Sequence, residues 1–111
     1  MAIEKVREYL KKFGADGRIM EFDVSSATVE LAAVAVGTEP RRIAKTMAFA
    51  VGEKHILIVC AGDVKIDNHK YKSFFGAKAK MLTPDETAEY IGHAVGGVCP
   101  FAVPDEVEIY L

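Results

Sequence analysis

The stretch Ala44-Lys45-Thr46-Met47-Ala48-Phe49-Ala50-Val51, then Gly52-Glu53-Lys54, then His55-Ile56-Leu57-Ile58-Val59-Cys60-Ala61, decides how this chain folds. In residues 44–51, Ala44, Thr46, Ala48 and Ala50 fall on one side and Lys45, Met47, Phe49 and Val51 on the other. That two-residue period is the period of a strand. Gly52-Glu53-Lys54 has the make-up of a hairpin turn, and 55–61 reads as its second strand. The unbroken apolar run Ile56–Cys60 predicts cover on both faces of the sheet, with Cys60 buried in it.

Helices are expected on either side of this hairpin. Upstream, residues 1–13 place Ile3, Val6, Leu10 and Phe13 on one helical face and Glu4, Arg7, Lys11 and Lys12 off it. Residues 14–17 read as a turn and Arg18 to Phe22 as a short strand. Ser25 and Ser26 are placed to cap a helix over residues 27–36 that Gly37 stops, and its alanines predict close packing on the sheet. Downstream, Asp67 is placed to cap a short helix through Phe75, with Gly76 as its stop. Lys78 to Leu82 reads as a short strand. Thr83-Pro84-Asp85-Glu86 carries a threonine cap, a proline at the first helical position and a glutamate three after the cap, so a helix should run from there to Ile91 and end at Gly92. After Pro104, Val107, Ile109 and Leu111 alternate with Glu106, Glu108 and Tyr110 as a last strand. The fold class is α/β of the mixed α+β kind, in a single domain spanning residues 1–111.

The chain has 111 residues, half of them hydrophobic, and a formal net charge of −2, which suits one core rather than two and argues against a general DNA binder. Mean hydropathy is slightly positive, which excludes a disordered chain. The apolar runs are far shorter than a membrane span, and the N-terminus alternates charged with apolar residues unlike a signal peptide, so a cytoplasmic protein with no membrane partner is expected. Basic residues do cluster locally. Lys65, Lys70, Lys72, Lys78 and Lys80 face only Asp63 and Asp67 in their stretch, and Arg41, Arg42 and Lys45 form a second group. Each reads as a solvated face, and together they suffice to touch a few phosphates. Two cysteines without CxxC, HxxxH or HExxH spacing give no disulfide framework and no metal site. Asp63 and Asp67 lack the further acidic positions of a calcium loop and read as turn and cap residues.

Chemistry concentrates in Gly92-His93-Ala94-Val95-Gly96-Gly97-Val98-Cys99-Pro100-Phe101. Paired glycines let a backbone approach a ligand closely, and successive N–H groups form an anion-binding concavity or hold the developing charge of an attacked carbonyl. A plain turn is the competing reading. Lys45 either snorkels to the sheet edge or offers its ammonium to a cleft beside Met47 and Phe49. His93 and Cys99, six residues apart, allow a thiol–imidazole nucleophile pair; a loop histidine that bonds backbone or lines the pocket is the alternative.

Four stretches, in order along nearly the whole chain, carry a resemblance: Ser25-Ser26-Ala27-Thr28-Val29-Glu30, Ile43-Ala44-Lys45-Thr46, Ala61-Gly62-Asp63-Val64-Lys65-Ile66-Asp67 and Gly92 to Phe101. With them the chain resembles the YbaK/EbsC family, which is related to the editing domain of bacterial prolyl-tRNA synthetases. The resemblance implies a mixed central sheet flanked by helices. It implies a freestanding deacylase that hydrolyses the ester of a mischarged aminoacyl-tRNA, commonly tRNA(Pro) carrying a small non-cognate amino acid. By the family pattern Lys45 engages the charged end of the substrate, the backbone of Gly96 and Gly97 holds the ester carbonyl, and Pro100 fixes the loop. His93, Val95 and Cys99 complete the expected substrate-binding set, with Lys45, Gly96 and Gly97 as the catalytic one. No metal or organic cofactor is implied. Aminoacyl-tRNA is the expected partner, with prolyl-tRNA synthetase and a second copy of the chain as further ones. Relatives continue through more sheet and helix, so a fold shortened at its C-terminus is expected, with an exposed edge at Val107–Leu111. A tRNA- or nucleotide-binding module of the same fold without catalysis is the rival reading, and a small thiol hydrolase the third.

Overall fold

A computed structural model describes residues 2–22, 28–94 and 96–111. At its centre is a three-stranded sheet in the order β1-β2-β3. β1 (Ala44–Val51) and β2 (Lys54–Ala61) form the antiparallel hairpin, with Ala44 opposite Ala61 and Val51 opposite Lys54. β3 (Glu108–Tyr110) runs parallel to β2, pairing Ile56 with Glu108 and Ile58 with Tyr110. The sheet is thus mixed, as the resemblance implied.

The alternation in β1 sorts two cores onto the two faces. On one, Phe49 and Ile56 pack with Tyr71, and Met47, Val51, Ile58, Phe75 and Tyr110 surround them. On the other, Ala48 and Leu57 pack with Leu82, Ile91 and Val107. Ile56 and Leu57, neighbours in sequence, are both buried because β2 is covered on both sides.

The helices largely follow their local signals. α1 (Ala2–Lys11) buries Val6, but Phe13, assigned to the same face, lies beyond the helix and is exposed beside Tyr9. α2 (Val29–Val36) starts at Thr28, whose Oγ1 accepts from the Leu31 N–H, and ends at Gly37 in the left-handed region. The expected Ser25 and Ser26 caps and Ala27 lie outside the described residues. Of α2 only Ala33 is buried, with Leu31, Val34 and Val36 exposed, so the close packing its alanines predicted holds at one position. α3 (Asn68–Phe75) has the expected Asp67 cap and Gly76 stop. α4 (Pro84–Glu86) opens with the full Thr83–Glu86 capping box and widens into a π-type turn over Thr87–Ile91.

Two expected strands are corrected. Arg18 to Phe22 is no strand: Asp16–Arg18 forms a 3-10 turn, and the segment that follows is held to α1 by the Arg7–Glu21 ion pair rather than by a ladder. Lys78 to Leu82 shrinks to one bridge, Met81 opposite Phe49, because the capping box turns the chain into α4 at once. In the last segment Val107 is buried as expected, but Ile109 and Leu111 are exposed and Tyr110 packs instead against Phe74 and Phe75.

Gly62 is the glycine that packing demands. A Cβ there would lie 2.5 Å from the Pro40 carbonyl oxygen and 2.5 Å from Val29 Cγ1. Its missing side chain lets the end of the hairpin, the Pro40–Arg42 turn and the start of α2 close together.

Candidate functional site

The site begins with the edge of β1. A strand residue sends its N–H and C=O to the same side, and neighbours along the strand send theirs to opposite sides. Leu82 N–H donates to the Ala48 carbonyl (3.0 Å) and Ala50 N–H to the Lys80 carbonyl (2.9 Å), so the even-numbered residues of β1 present their main chain away from β2. Among the described residues the bridge at Met81 covers that edge at its C-terminal half alone. Ahead of it a cavity of about 500 Å³ opens, within the size range of small-molecule sites. It is lined by all of residues 43–48, from both faces of the strand, as expected where a strand meets a hollow edge-on. Thr28, Val29 and Ala32 of α2 form one wall, and Met81, Leu82 and Thr87 another. Gly96, Gly97 and Val98 complete the lining. The small side chains of Ala44 and Thr46 leave room beside this end of the strand, whereas Ala48 further on is packed in the Leu57–Ile91 core.

The structure therefore brings Lys45, Gly96 and Gly97 to one cavity. Lys45 is the only charged side chain among the described lining residues. Its ammonium donates to the Val64 carbonyl, just past the hairpin, and two N–H donors remain.

The glycine loop is built to stay in place. Gly92, at φ 88°, ends the helix, and its carbonyl accepts from Lys5 Nζ at 3.3 Å. His93 is almost fully buried, and its Nε2 lies 2.8 Å from the Phe101 carbonyl oxygen, joining the two ends of the loop. Gly97 N–H closes a turn onto the Ala94 carbonyl (2.9 Å), with Gly96 at φ 91° in the position that favours glycine. Val98 packs on the Leu57–Ile91 core. The Gly97 N–H is thereby committed within the turn. Among the described residues no acceptor holds the N–H of Gly96 or Val98, so the loop keeps main-chain donors beside the cavity. Val95 lies outside the described residues.

His93, Cys99 and Pro100, expected to bind substrate, do not line the cavity. Cys99 Sγ is 3.7 Å from His93 Nε2 and 3.8 Å from the Phe101 carbonyl. A carbonyl only accepts, so His93 Nε2 carries the proton and donates to Phe101; it has no lone pair with which to take a proton from the thiol. Burial raises the Cys99 pKa, which keeps the sulfur a neutral thiol. The pair is a fastening, not a nucleophile. No group of three His, Cys, Asp or Glu that could hold a metal occurs among the described residues, and none of their helices is long and apolar enough to cross a membrane.

Comparison with known proteins places this architecture. The chain is 46% identical over 112 residues to the uncharacterized protein YwhH of Bacillus subtilis, covering all of this chain and 71% of that protein. Against the proline–tRNA ligase of Bacillus cytotoxicus it is 27% identical over 82 residues, 73% of this chain but only 14% of the ligase. A solved structure, proposed as a trans-editing enzyme for prolyl tRNA synthetase, superposes with a TM-score of 0.85 at 30% identity, over 98% of this chain and 70% of that one. Residues 23–111, which hold the lysine strand, the cavity and the glycine loop alike, match the aminoacyl-tRNA editing domain, and the chain belongs to that family, in its YbaK group.

Proposed function

We propose that this protein is a trans-editing deacylase that hydrolyses the ester between a small, wrongly attached amino acid and the terminal ribose of tRNA, with tRNA(Pro) as the preferred carrier. The observation that carries the reading is the presence of Lys45 and of Gly96, Gly97 and Val98 around one cavity, in a chain whose relatives include a stretch of proline–tRNA ligases. Such a ligase would supply the mischarged tRNA.

In the reaction, water adds to the acyl carbon, the ester C–O bond breaks, and the ribose oxygen leaves with a proton as the free hydroxyl. An aminoacyl ester is activated, so orientation and charge stabilisation suffice for much of the acceleration. Lys45, steadied by the Val64 carbonyl, offers its remaining donors to the anionic end of the substrate. The Gly96 N–H donates to the carbonyl oxygen as charge develops on it. His93 and Cys99 act through the loop they hold, as positioning residues.

Deacylation of Ala-tRNA(Pro) by the wild-type protein and by Lys45→Ala tests this. Lys45→Ala should lose about 10²–10³ in kcat/KM while remaining folded, the scale of removing one charge-stabilising donor. Unchanged turnover by a folded Lys45→Ala protein contradicts the assignment. Tight, salt-sensitive tRNA binding without ester cleavage by the wild type would favour the non-catalytic binding module instead.

A further inference from the structure

We infer that the main chain of Thr46 reads the substrate's aminoacyl group as if it were a one-residue β-strand, its C=O accepting from the α-ammonium and its N–H donating to the acyl carbonyl. The inference rests on the deacylase reading and adds to it the group that recognises the α-ammonium.

Three observations carry it. The first is parity: since Ala48 and Ala50 direct their main-chain groups outward to Lys80 and Leu82, Thr46 directs its own N–H and C=O outward too, where the Met81 segment no longer covers the edge. Among the described residues neither group has a partner, and the cavity lies against that edge. An unpaired edge is a template for another strand-like group.

The second is charge. The described lining residues include no carboxylate, and the only ionic group is the Lys45 ammonium. Among the described lining residues a substrate α-ammonium meets uncharged oxygens only. Of the three threonine hydroxyls, Thr28 Oγ1 accepts from the Leu31 N–H and Thr87 Oγ1 donates to the Thr83 carbonyl, so both are oriented by the starts of their own helices. Along this edge the Ala48 carbonyl is taken by the Leu82 N–H, and among the described residues the outward Thr46 carbonyl beside it is the next free acceptor.

The third is geometric matching. In the hydrogen-bonded pairs of an antiparallel ladder the two opposed residues exchange both bonds, each giving an N–H and a C=O. An α-aminoacyl ester carries that same pair of groups on one residue. Seated against Thr46, its acyl carbon is held at the cavity in one orientation, and selection rests on the α-amino acid backbone rather than on the side chain.

The test compares tRNA(Pro) carrying alanyl, N-acetylalanyl and propionyl groups, each enzymatic rate divided by that ester's uncatalysed rate. The wild type should favour alanyl over propionyl, which has no N–H to give, by at least about tenfold, the scale of losing a hydrogen bond to a charged group, with N-acetylalanyl, which keeps a neutral N–H, between the two. Thr46→Val, which removes the hydroxyl and keeps the N–H, should retain the preference. Thr46→Pro removes an N–H that the β1–β2 ladder does not use, a replacement edge strands tolerate, and should slow alanyl cleavage by a similar factor. Equal normalised rates for the three acyl groups overturn the inference and leave the deacylase standing, and so does loss of the preference in Thr46→Val, which would assign recognition to the hydroxyl. Failure of the wild type to cleave any of the three strikes the deacylase reading itself. Should Thr46→Pro not fold, the wild-type acyl series decides alone.

Discussion

The two halves of β1 do different work although their sequences are alike. In the C-terminal half Ala48 and Ala50 bond outward to Leu82 and Lys80, and Phe49 sinks into the aromatic core with Tyr71. In the N-terminal half the same outward groups meet a cavity, and Lys45 takes the place on the strand face that Phe49 holds further on. One strand thus has its edge bonded to a neighbour in one half and, among the described residues, opens on the candidate site in the other. The boundary is the one-residue bridge at Met81, set by the capping box that turns the chain into α4.

Substitutions in the two halves should therefore separate stability from activity. Phe49→Ala should cost about 3–5 kcal/mol of folding stability, read by denaturant unfolding, as for large buried aromatics generally; a loss below about 1 kcal/mol would break the contrast. Lys45→Ala should do the reverse, leaving the unfolding midpoint nearly unchanged while activity falls. Gly62→Ala sharpens the boundary between the two, since its Cβ would strike the Pro40 carbonyl and Val29 behind the cavity wall. It should cost about 1–3 kcal/mol from overpacking and lower activity along with it.

How much of this could be read beforehand follows from how local each signal is. The hairpin, the Asp67 and Gly76 ends of α3 and the Thr83–Glu86 box are written within a few residues of themselves, and each appears where its residues sit. Lys45 and the glycine loop were legible as candidates, because a charge in a strand of small and apolar residues and a run of glycines both break pattern. What the linear order hides is who meets whom. The parallel pairing of β3, the shrinkage of Lys78–Leu82 to one bridge and the missing ladder at Arg18–Phe22 all depend on distant partners. The engagement of the Gly97 N–H with Ala94 and the direction of the His93 proton are likewise fixed by carbonyls that spacing does not locate. Ala44, Thr46 and Ala48 share one face in the sequence pattern; that Ala48 is packed in the core while Ala44 and Thr46 border a cavity emerges only once α2 and the loop are in place.

Smaller effects test the supports of the site. Cys99→Ser should change deacylation by no more than a few-fold, because the thiol is a neutral neighbour of His93; near-total loss would restore the nucleophile. At the start of α4 the Thr83 N–H and hydroxyl hold the Glu86 carboxyl below its ordinary pKa. A depressed folded pKa stabilises above the unfolded value and is lost as pH falls through the folded one. Thermal unfolding of Glu86→Gln should accordingly vary less with pH than the wild type across and below the usual carboxylate range, with the two converging in acid.

The most direct measurement is an amide-resonance titration with a non-hydrolysable alanyl-adenosine amide. The N–H signals of Thr46 and Gly96 should move most, and those of Ala50 and of Tyr71 on the aromatic face should stay. If the largest shifts fall instead around Tyr71 and Tyr110, with Thr46 and Gly96 unmoved, the open half of β1 is not the aminoacyl site.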